Sequence, residues 1–308
     1  MSKKTLYLLG ILLTILIGTW LYHKYCCHTC SGCCSGEQNT PLATTGDYAP
    51  FALQSGDFSY QCNDNFKFRK DDFKHLEPVS DSINTGILAL KDAIAKNPNY
   101  KLLLTGYCTK DEKNTSAFPN LGFARANDVK NYMVAKGIPS ANLDINGEVK
   151  DSWLMQGDTV LGPVRYELQQ TTTTSSVTTT TTTTTTEDWS TLKEKINANP
   201  LILYFNTNQS EINLTAEQRQ RVADIAKYLD KASGAKANCV GHTDNVGSRD
   251  KNIQLGQERA DFAKAYLVKN GISADKINSS SKGPDEPIAD NGTAEGRAKN
   301  RRTVVTVE

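Results

Sequence analysis

The chain has little of the chemistry that most enzymes and nucleic-acid-binding proteins need. Only four histidines occur among its 308 residues, at positions 23, 28, 75 and 242, which leaves little material for a histidine-rich catalytic or metal site. Lysine and arginine (35) balance aspartate and glutamate (34), so the net charge is +1 and no basic excess favours nucleic acid. Five of the eight cysteines lie between Cys26 and Cys34, so disulfides do not staple the folded parts.

Acidic residues are absent from the one long apolar run, residues 5–22 (TLYLLGILLTILIGTWLY). This length is at the short end of what spans a bilayer, and Lys3 and Lys4 favour a cytoplasmic N-terminus. No small-x-small cleavage site follows, and Tyr25 before Cys26 does not fit a lipoprotein signal, so we predict an uncleaved signal anchor. Such an anchor implies the inner membrane with the domains in the periplasm, whereas cleavage or lipidation would imply the periplasm or the outer membrane.

Two compositionally unusual segments divide the rest of the chain. The cluster from Cys26 to Cys34 contains CxxC spacings that suit zinc, although an oxidising setting favours disulfides, within or between chains. Residues 171–186 are almost pure threonine and cannot bury a core, so we interpret them as a linker. The predicted segments are a cytoplasmic N-terminus (1–4), a transmembrane signal anchor (5–22), a cysteine-rich juxtamembrane segment and linker (23–57), a first domain (58–169), a threonine-rich linker (170–186) and a second domain (187–308).

The two predicted domains resemble each other in sequence. In the first, TGYCT precedes LGFARANDVKNYMVAKGI (121–138), and in the second, VGHTD precedes LGQERADFAKAYLVKNGI (255–272). A constant offset pairs Arg125 with Arg259. We therefore predict two domains of one fold.

The second domain alternates short apolar strands with amphipathic helices. Residues 215–218 form a capping box, and apolar residues then recur at helical spacing over 222–229. A second helix is predicted over 256–270, with Gly271 at its C′ position. The predicted strands are 201–205, 237–241, 277–280 and 303–307. The order β-α-β-α-β-β predicts an α/β fold, an α+β sandwich of helices on a sheet.

Three separated motifs in the second domain carry a family resemblance: GHTDNVG (241–247), LGQERA (255–260) and ADNGTAEGRAKNRR (289–302). Together they resemble the OmpA/MotB/Pal C-terminal domain, and three motifs are more specific than any one of them. The resemblance implies two OmpA-like domains behind one N-terminal transmembrane helix, the first a divergent copy. It also implies non-covalent binding of peptidoglycan through the diaminopimelate of the stem peptide.

The resemblance implies that Asp244 and Arg259 carry the charges that meet the ligand, because they stand at the family's Asp and Arg positions. Diaminopimelate presents an ammonium and a carboxylate on one carbon, which suits one carboxylate and one guanidinium. We expect Arg259 in the first turn of its helix, where N-terminal amides would also attract an anion. The other positions implied for the site are Thr243, Asn252, Asn206, Thr207, Asn208 and Arg301.

The first domain departs from this pattern. Thr109 stands at the Asp position, Arg125 is kept, and the long loop that ends in NRR is missing. A pocket with an arginine but no carboxylate cannot hold the ammonium in the family's way, and we do not expect the nearby Asp111 to replace it. We expect this domain to act as a spacer, a homodimerisation module or a protein-binding module.

These features predict a membrane-anchored cell-envelope protein that tethers the membrane to peptidoglycan, without a cofactor, metal or nucleic acid. The alternative is an envelope scaffold that binds a protein partner through the first domain. Glycan hydrolysis needs two placed carboxylates, and amide hydrolysis needs a metal or an activated nucleophile. The second domain has neither HExxH nor a Ser or Cys with a matching His, and Cys239 and His242 read as packing residues, so we expect no enzyme activity.

Overall fold

A computed structural model describes residues 47–170, 189–204 and 214–308. We call residues 47–170 the N-terminal half, and the described residues from 189 onward the C-terminal half. The predicted membrane span, the cysteine cluster and the threonine run lie outside the described residues. In the part of the chain that the structure describes, no helix is both long and apolar enough to cross a membrane.

The N-terminal half is built on a mixed sheet of order β5–β4–β8. Its central strand β4 is parallel to β5 and antiparallel to β8. A separate hairpin joins β1 to β2, and a small sheet has the order β3–β7–β6. The elements are β1 (Phe51–Ser55), β2 (Phe58–Cys62), β3 (Lys67–Arg69), α1 (Asp81–Lys96), β4 (Tyr100–Thr109), α2 (Leu121–Ala135), β5 (Leu143–Lys150), β6 (Met155–Gln156), β7 (Thr159–Leu161) and β8 (Val164–Gln170).

Strand β1 corrects one predicted boundary. The predicted cysteine-rich juxtamembrane segment and linker covers residues 23–57, whereas residues 51–55 form a strand of the folded half. Phe51 and Leu53 are both fully buried. They belong to the same apolar cluster as Leu102 and Leu104 of the central strand. Period-2 burial of two large apolar side chains makes this segment part of the core despite its polar neighbours.

The C-terminal half is built on a four-stranded sheet of order β11–β10–β12–β9. Strand β10 is parallel to β11 and antiparallel to β12, which in turn is antiparallel to β9. The elements are α3 (Trp189–Ala198), β9 (Leu201–Tyr204), α4 (Ala216–Lys231), β10 (Ala237–His242), α5 (Arg249–Lys269), β11 (Ile277–Gly283), α6 (Ala294–Asn300) and β12 (Arg302–Val307). All four predicted strands are present, so the mixed α/β class is confirmed.

Local signals define the ends of two helices as predicted. At the start of α4, Thr215 accepts from the backbone N–H of Gln218 at 3.2 Å, and the Gln218 side chain accepts from the Thr215 N–H at 2.9 Å. After α5, Gly271 has a φ of +90°, the left-handed conformation that glycine adopts without a Cβ penalty. The short helices α3 and α6 carry only one and two buried residues, so apolar periodicity does not reveal them.

The helix α5 begins earlier than predicted. It starts at Arg249 after Ser248, about two turns before Gly256. The early turns are rich in polar residues, and burial there is confined to Asn252. The apolar period therefore starts later than the helix itself, which is why the predicted boundary at residue 256 is wrong.

The two halves contact each other directly through helix α2. Phe118, Leu121 and Ala124 belong to the same apolar cluster as the core of the C-terminal half. The side chain of Lys130, which is 3% exposed, forms an ion pair with Asp230 across the contact.

Hydrogen bonds to one helix end add to this contact. The Asn270 side chain accepts from the Ala117 N–H at 2.7 Å, and the Asn131 side chain donates to the Gly271 carbonyl at 2.8 Å. No sequence motif predicts this interface. Its consequence is that α2 is buried on two sides, by its own sheet and by the other half.

Candidate functional site

A charged cluster lies where the end of β10 meets the start of β12. Because these strands are antiparallel neighbours, the residue after one lies beside the residue before the other. Arg301 directly precedes β12, Asp244 is the second residue after β10, and Arg301 Nη1 donates to Asp244 Oδ2 at 2.9 Å. Their side chains are 14% and 25% exposed, so the ion pair is largely but not wholly shielded from water. The structure thus brings together two predicted residues that are 57 positions apart.

The loop that carries Asp244 is held by its own neighbours. Asp244 Oδ1 accepts from the Val246 N–H at 3.1 Å, and the Thr243 N–H donates to the Gly283 carbonyl at 2.9 Å. Asn252, 4% exposed, donates to the Val246 carbonyl at 3.1 Å. Thr243 and Asn252 therefore support the loop from beneath, and their predicted contact with a ligand stays a prediction.

Arg259 reaches the same end of the sheet from helix α5. Its Nη1 donates to the His242 carbonyl at 3.2 Å. Burial, followed by the positive charge of Arg301, lowers the pKa of the Arg259 guanidinium, while Asp244 acts in the opposite direction. Arginine side chains are not deprotonated in proteins, so the guanidinium keeps its positive charge. Asp244, Arg259 and Arg301 are the charged site.

Arg259 is not in the first turn of its helix. With α5 starting at Arg249, it lies almost three turns in. The unpaired N–H groups of a helix belong to its first turn. The predicted contribution of helix N-terminal amides at Arg259 is therefore wrong, and the anion-binding capacity here belongs to the guanidinium itself.

A close approach of two glycines brings α5 onto the sheet. A Cβ on Gly241 in β10 would collide with the Gly256 carbonyl in α5, and a Cβ on Gly256 would meet the Ser281 hydroxyl. The helix backbone therefore lies directly on the strand. Arg259 follows Gly256 by about one turn, so this contact places its guanidinium at the strand end.

Asn300 supports the loop that precedes the charged site, and it is not among the predicted site residues. It is fully buried, and its Oδ1 accepts from the N–H groups of Ile288 at 2.9 Å and Ala289 at 3.0 Å. Its amide nitrogen donates to the Ala289 carbonyl and to the Asn291 side chain, both at 2.9 Å. These bonds tie the preceding loop to the residue beside Arg301. The sequence signal that could have identified Asn300 is its place between Lys299 and two arginines, where an uncharged residue interrupts a basic run.

Three predicted site residues and two predicted packing residues remain to be placed. Asn206, Thr207 and Asn208 lie outside the described residues.

The two predicted packing residues are His242 and Cys239. Burial lowers the pKa of His242 to about 4, with Arg302 adding to the effect. Burial raises the pKa of Cys239 to about 12. A thiol this weakly acidic is a poor nucleophile. Both side chains are buried, and their role as packing residues stays a prediction.

The charged site can recognise a small zwitterion. Asp244 Oδ2 accepts a hydrogen bond at 2.9 Å and Oδ1 accepts one at 3.1 Å, and a carboxylate oxygen can accept a second. An arginine fork binds a carboxylate with charge-assisted hydrogen bonds. The fold and the site define a mixed α/β domain with a carboxylate and two guanidiniums at one end of its sheet.

The part of the chain that contains the charged site is similar to known proteins. Residues 204–301 match the sequence model of the OmpA family, so the chain contains an OmpA-like domain. The chain is 35% identical over 100 residues to the probable lipoprotein YiaD of Escherichia coli K12, covering 32% of this chain and 46% of that protein. It is 41% identical over 106 residues to the peptidoglycan-binding protein ArfA of Mycobacterium tuberculosis, covering 34% of this chain and 32% of that protein.

Two further relatives extend the comparison. The peptidoglycan-associated lipoprotein of Buchnera aphidicola is 35% identical over 103 residues, covering 33% of this chain and 58% of that protein. Among solved structures, the C-terminal domain of Helicobacter pylori MotB is 26% identical, with a TM-score of 0.30, covering 36% of this chain and 84% of that one. The matches thus span roughly a third to just over half of the curated relatives' lengths.

Proposed function

We propose that the C-terminal half binds peptidoglycan non-covalently through the diaminopimelate of the stem peptide, and that the chain tethers a membrane to the cell wall. The observation that carries this proposal is the Asp244 carboxylate held 2.9 Å from Arg301, with Arg259 at the same strand end. The names of two relatives, a peptidoglycan-binding protein and a peptidoglycan-associated lipoprotein, support the ligand class.

Each charged residue has a distinct part in this proposal. The Asp244 oxygens accept hydrogen bonds from the ligand's ammonium group, and the Arg259 guanidinium donates hydrogen bonds to the ligand's carboxylate. Arg301 orients the Asp244 carboxylate, to which it donates at 2.9 Å. Partial burial of the site strengthens both ionic contacts, because less water screens them.

We further propose that the N-terminal half is a divergent copy of the same fold. In support, β5–β4–β8 has the same strand directions as β11–β10–β12. A Cβ on Gly106 would collide with the Gly122 carbonyl, as a Cβ on Gly241 would with that of Gly256. The single membrane span at 5–22, the periplasmic location, a homodimer and the lack of enzyme activity stay predictions from the sequence.

Co-sedimentation with purified peptidoglycan sacculi tests the proposed site. The material is residues 45–308, which form one compact unit. Asp244→Ala and Arg259→Ala should each weaken binding about 10-fold or more, since a hydrogen bond to a charged group contributes about 1.5–3 kcal/mol. Matched controls are Asp250→Ala and Arg249→Ala, whose side chains are exposed on the first turn of α5.

The outcomes separate the function from the site. Binding by the parent and both controls, with loss in both site variants, supports the proposal. Equal pelleting of all five proteins would mean that the chain binds sacculi elsewhere. A parent that stays in solution contradicts the proposed function itself.

A further inference from the structure

The N-terminal half holds a fully buried arginine whose donors are all used inside the chain. Arg125 is 0% exposed. Its Nε donates to the Asp72 carbonyl at 3.1 Å, Nη1 to the Tyr107 carbonyl at 3.0 Å, and Nη2 to the Arg69 carbonyl at 3.3 Å. The two remaining N–H groups go to Glu112, one of them from Nη1 at 3.2 Å. A guanidinium has five N–H donors, so none is left for an external ligand.

Glu112 presents its carboxylate to this arginine as a ligand would. Both of its oxygens accept from Arg125, which is the two-bond fork that arginine forms with carboxylates. Oε2 also accepts from the Thr109 backbone N–H at 2.8 Å and from its hydroxyl at 3.4 Å. The side chain of Glu112 is 1% exposed. A buried charge of this kind persists because it is paired and hydrogen-bonded.

Arg125 corresponds to Arg259 in its contacts as well as in sequence. Nη1 of Arg125 donates to the carbonyl of Tyr107, the residue after the strand glycine. Nη1 of Arg259 donates to the carbonyl of His242, again the residue after the strand glycine. The two guanidiniums therefore stand at equivalent places relative to their central strands.

The loops after the two strands carry their carboxylates at different positions. Counted from the strand glycine, Thr109 stands where the C-terminal half has Asp244, and Glu112 stands where it has Gly247. Nothing lies within 4 Å of a Cβ built on Gly247. The N-terminal half has thus lost the carboxylate that would meet an ammonium and gained one that reaches the arginine.

We infer that the N-terminal half retains a carboxylate-binding site and that Glu112 occupies it permanently. Asp111, the substitute considered in the sequence analysis, does not fill this place: it is 68% exposed and pairs with Lys70 at 3.3 Å. The site takes carboxylates as a class, and the chain itself supplies one. It follows that each chain binds one diaminopimelate ligand and not two, a consequence that rests on the proposed function.

Chemical rescue tests the occupied site without reference to peptidoglycan. In the full chain, Glu112→Ala removes the internal carboxylate, and the melting temperature should fall by about 10 °C. Acetate at about 100 mM should restore roughly 3–6 °C, beyond any effect of chloride at equal ionic strength, because it binds the folded state alone. Glu112→Gln fills the space with a neutral amide, so it should not respond to acetate. The double variant Glu112→Ala, Arg125→Met should not respond either.

The result that overturns the inference is an acetate response in Glu112→Ala no larger than that of the parent. If Glu112→Ala is unfolded in chloride, refolding in acetate supports the inference. Failure of Glu112→Ala to refold, together with an acetate response in Glu112→Gln, contradicts it.

Titration calorimetry with a soluble diaminopimelate-containing stem peptide tests the stoichiometry. One equivalent per chain, lost in Arg259→Ala, is the expected result. A second equivalent, or one that survives in Arg259→Ala, contradicts the occupied site. No binding to the parent contradicts the proposed function instead, and the acetate response then decides the inference.

Discussion

The close approach of Gly241 and Gly256 makes a sharp prediction about both stability and binding. Gly241→Ala places a methyl group against the Gly256 carbonyl, which is backbone and cannot rotate away. Helix α5 would have to move by on the order of 1 Å to restore an ordinary carbon–oxygen contact. Overpacking of a tight site costs about 1–3 kcal/mol, and a backbone obstacle puts this substitution at the upper end. The melting temperature should therefore fall by roughly 6–12 °C.

The same movement should weaken ligand binding. Arg259 lies about one turn after Gly256 on α5, so a shift of the helix displaces its guanidinium relative to Asp244. Binding sites tolerate displacements of only about 0.5 Å. Gly241→Ala should therefore reduce pelleting with sacculi even at temperatures where the variant is fully folded.

Two further glycines provide matched comparisons. A Cβ on Gly256 would collide with the Ser281 hydroxyl, which can rotate, and would lie 3.0 Å from the Gly241 carbonyl oxygen, which cannot. This backbone contact is milder than the one at Gly241, and an alanine at 256 gains about 1 kcal/mol of helix propensity. The atoms nearest to a Cβ on Gly292 belong to the Asp290 carboxylate, whose oxygens lie at 3.2 Å. Thermal melts should therefore rank the losses as Gly241→Ala, then Gly256→Ala, then Gly292→Ala, the last within about 0.5 kcal/mol of the parent. A Gly241→Ala protein that melts within about 2 °C of the parent and binds equally would refute the reasoning.

Substitutions at His242 and Asn300 lead to further predictions about stability and, for Asn300, about binding. The pKa of His242 is about 4 in the folded chain and about 6.5 in the unfolded chain. As the pH falls, the unfolded chain therefore takes up a proton before the folded chain does. The free energy of unfolding decreases by up to about 3 kcal/mol as the pH drops from 6.5 to 4. His242→Asn should flatten this part of a stability-against-pH curve from denaturant melts, and an unchanged slope would assign it to other groups. Asn300→Ala removes the four hydrogen bonds of a fully buried side chain, so it should cost about 2–4 kcal/mol and weaken sacculus binding through Arg301. Full binding by a folded Asn300→Ala protein would show that Arg301 does not depend on this support.

Much of the C-terminal half follows from local sequence. The capping box at Thr215 predicts the start of α4, and Gly271 predicts the end of α5, because both signals act within one helical turn. The strands are recognisable because their apolar residues are short runs bounded by polar ones. Asp244 and Arg259 are identified by motifs rather than by periodicity.

Other features depend on which segments meet in space. The Asp244–Arg301 pair joins residues 57 positions apart, and only the pairing of β10 with β12 brings them within 2.9 Å. The true start of α5 escapes the sequence because its early turns are polar and therefore lack an apolar period.

For Arg125 too, the sequence predicts one part of the site and only the structure reveals the other. A kept arginine and a lost aspartate are visible in the sequence, and they predict an incomplete site. That Glu112 and not Asp111 meets the arginine depends on the path of a loop, since adjacent side chains there point in different directions. Sequence by itself determined the strands and the two long helices of the C-terminal half, apart from the start of α5, together with the family resemblance and the residue types of the site. The tertiary structure alone decided which charges meet, because ion pairs depend on distances in space and not on spacing along the chain.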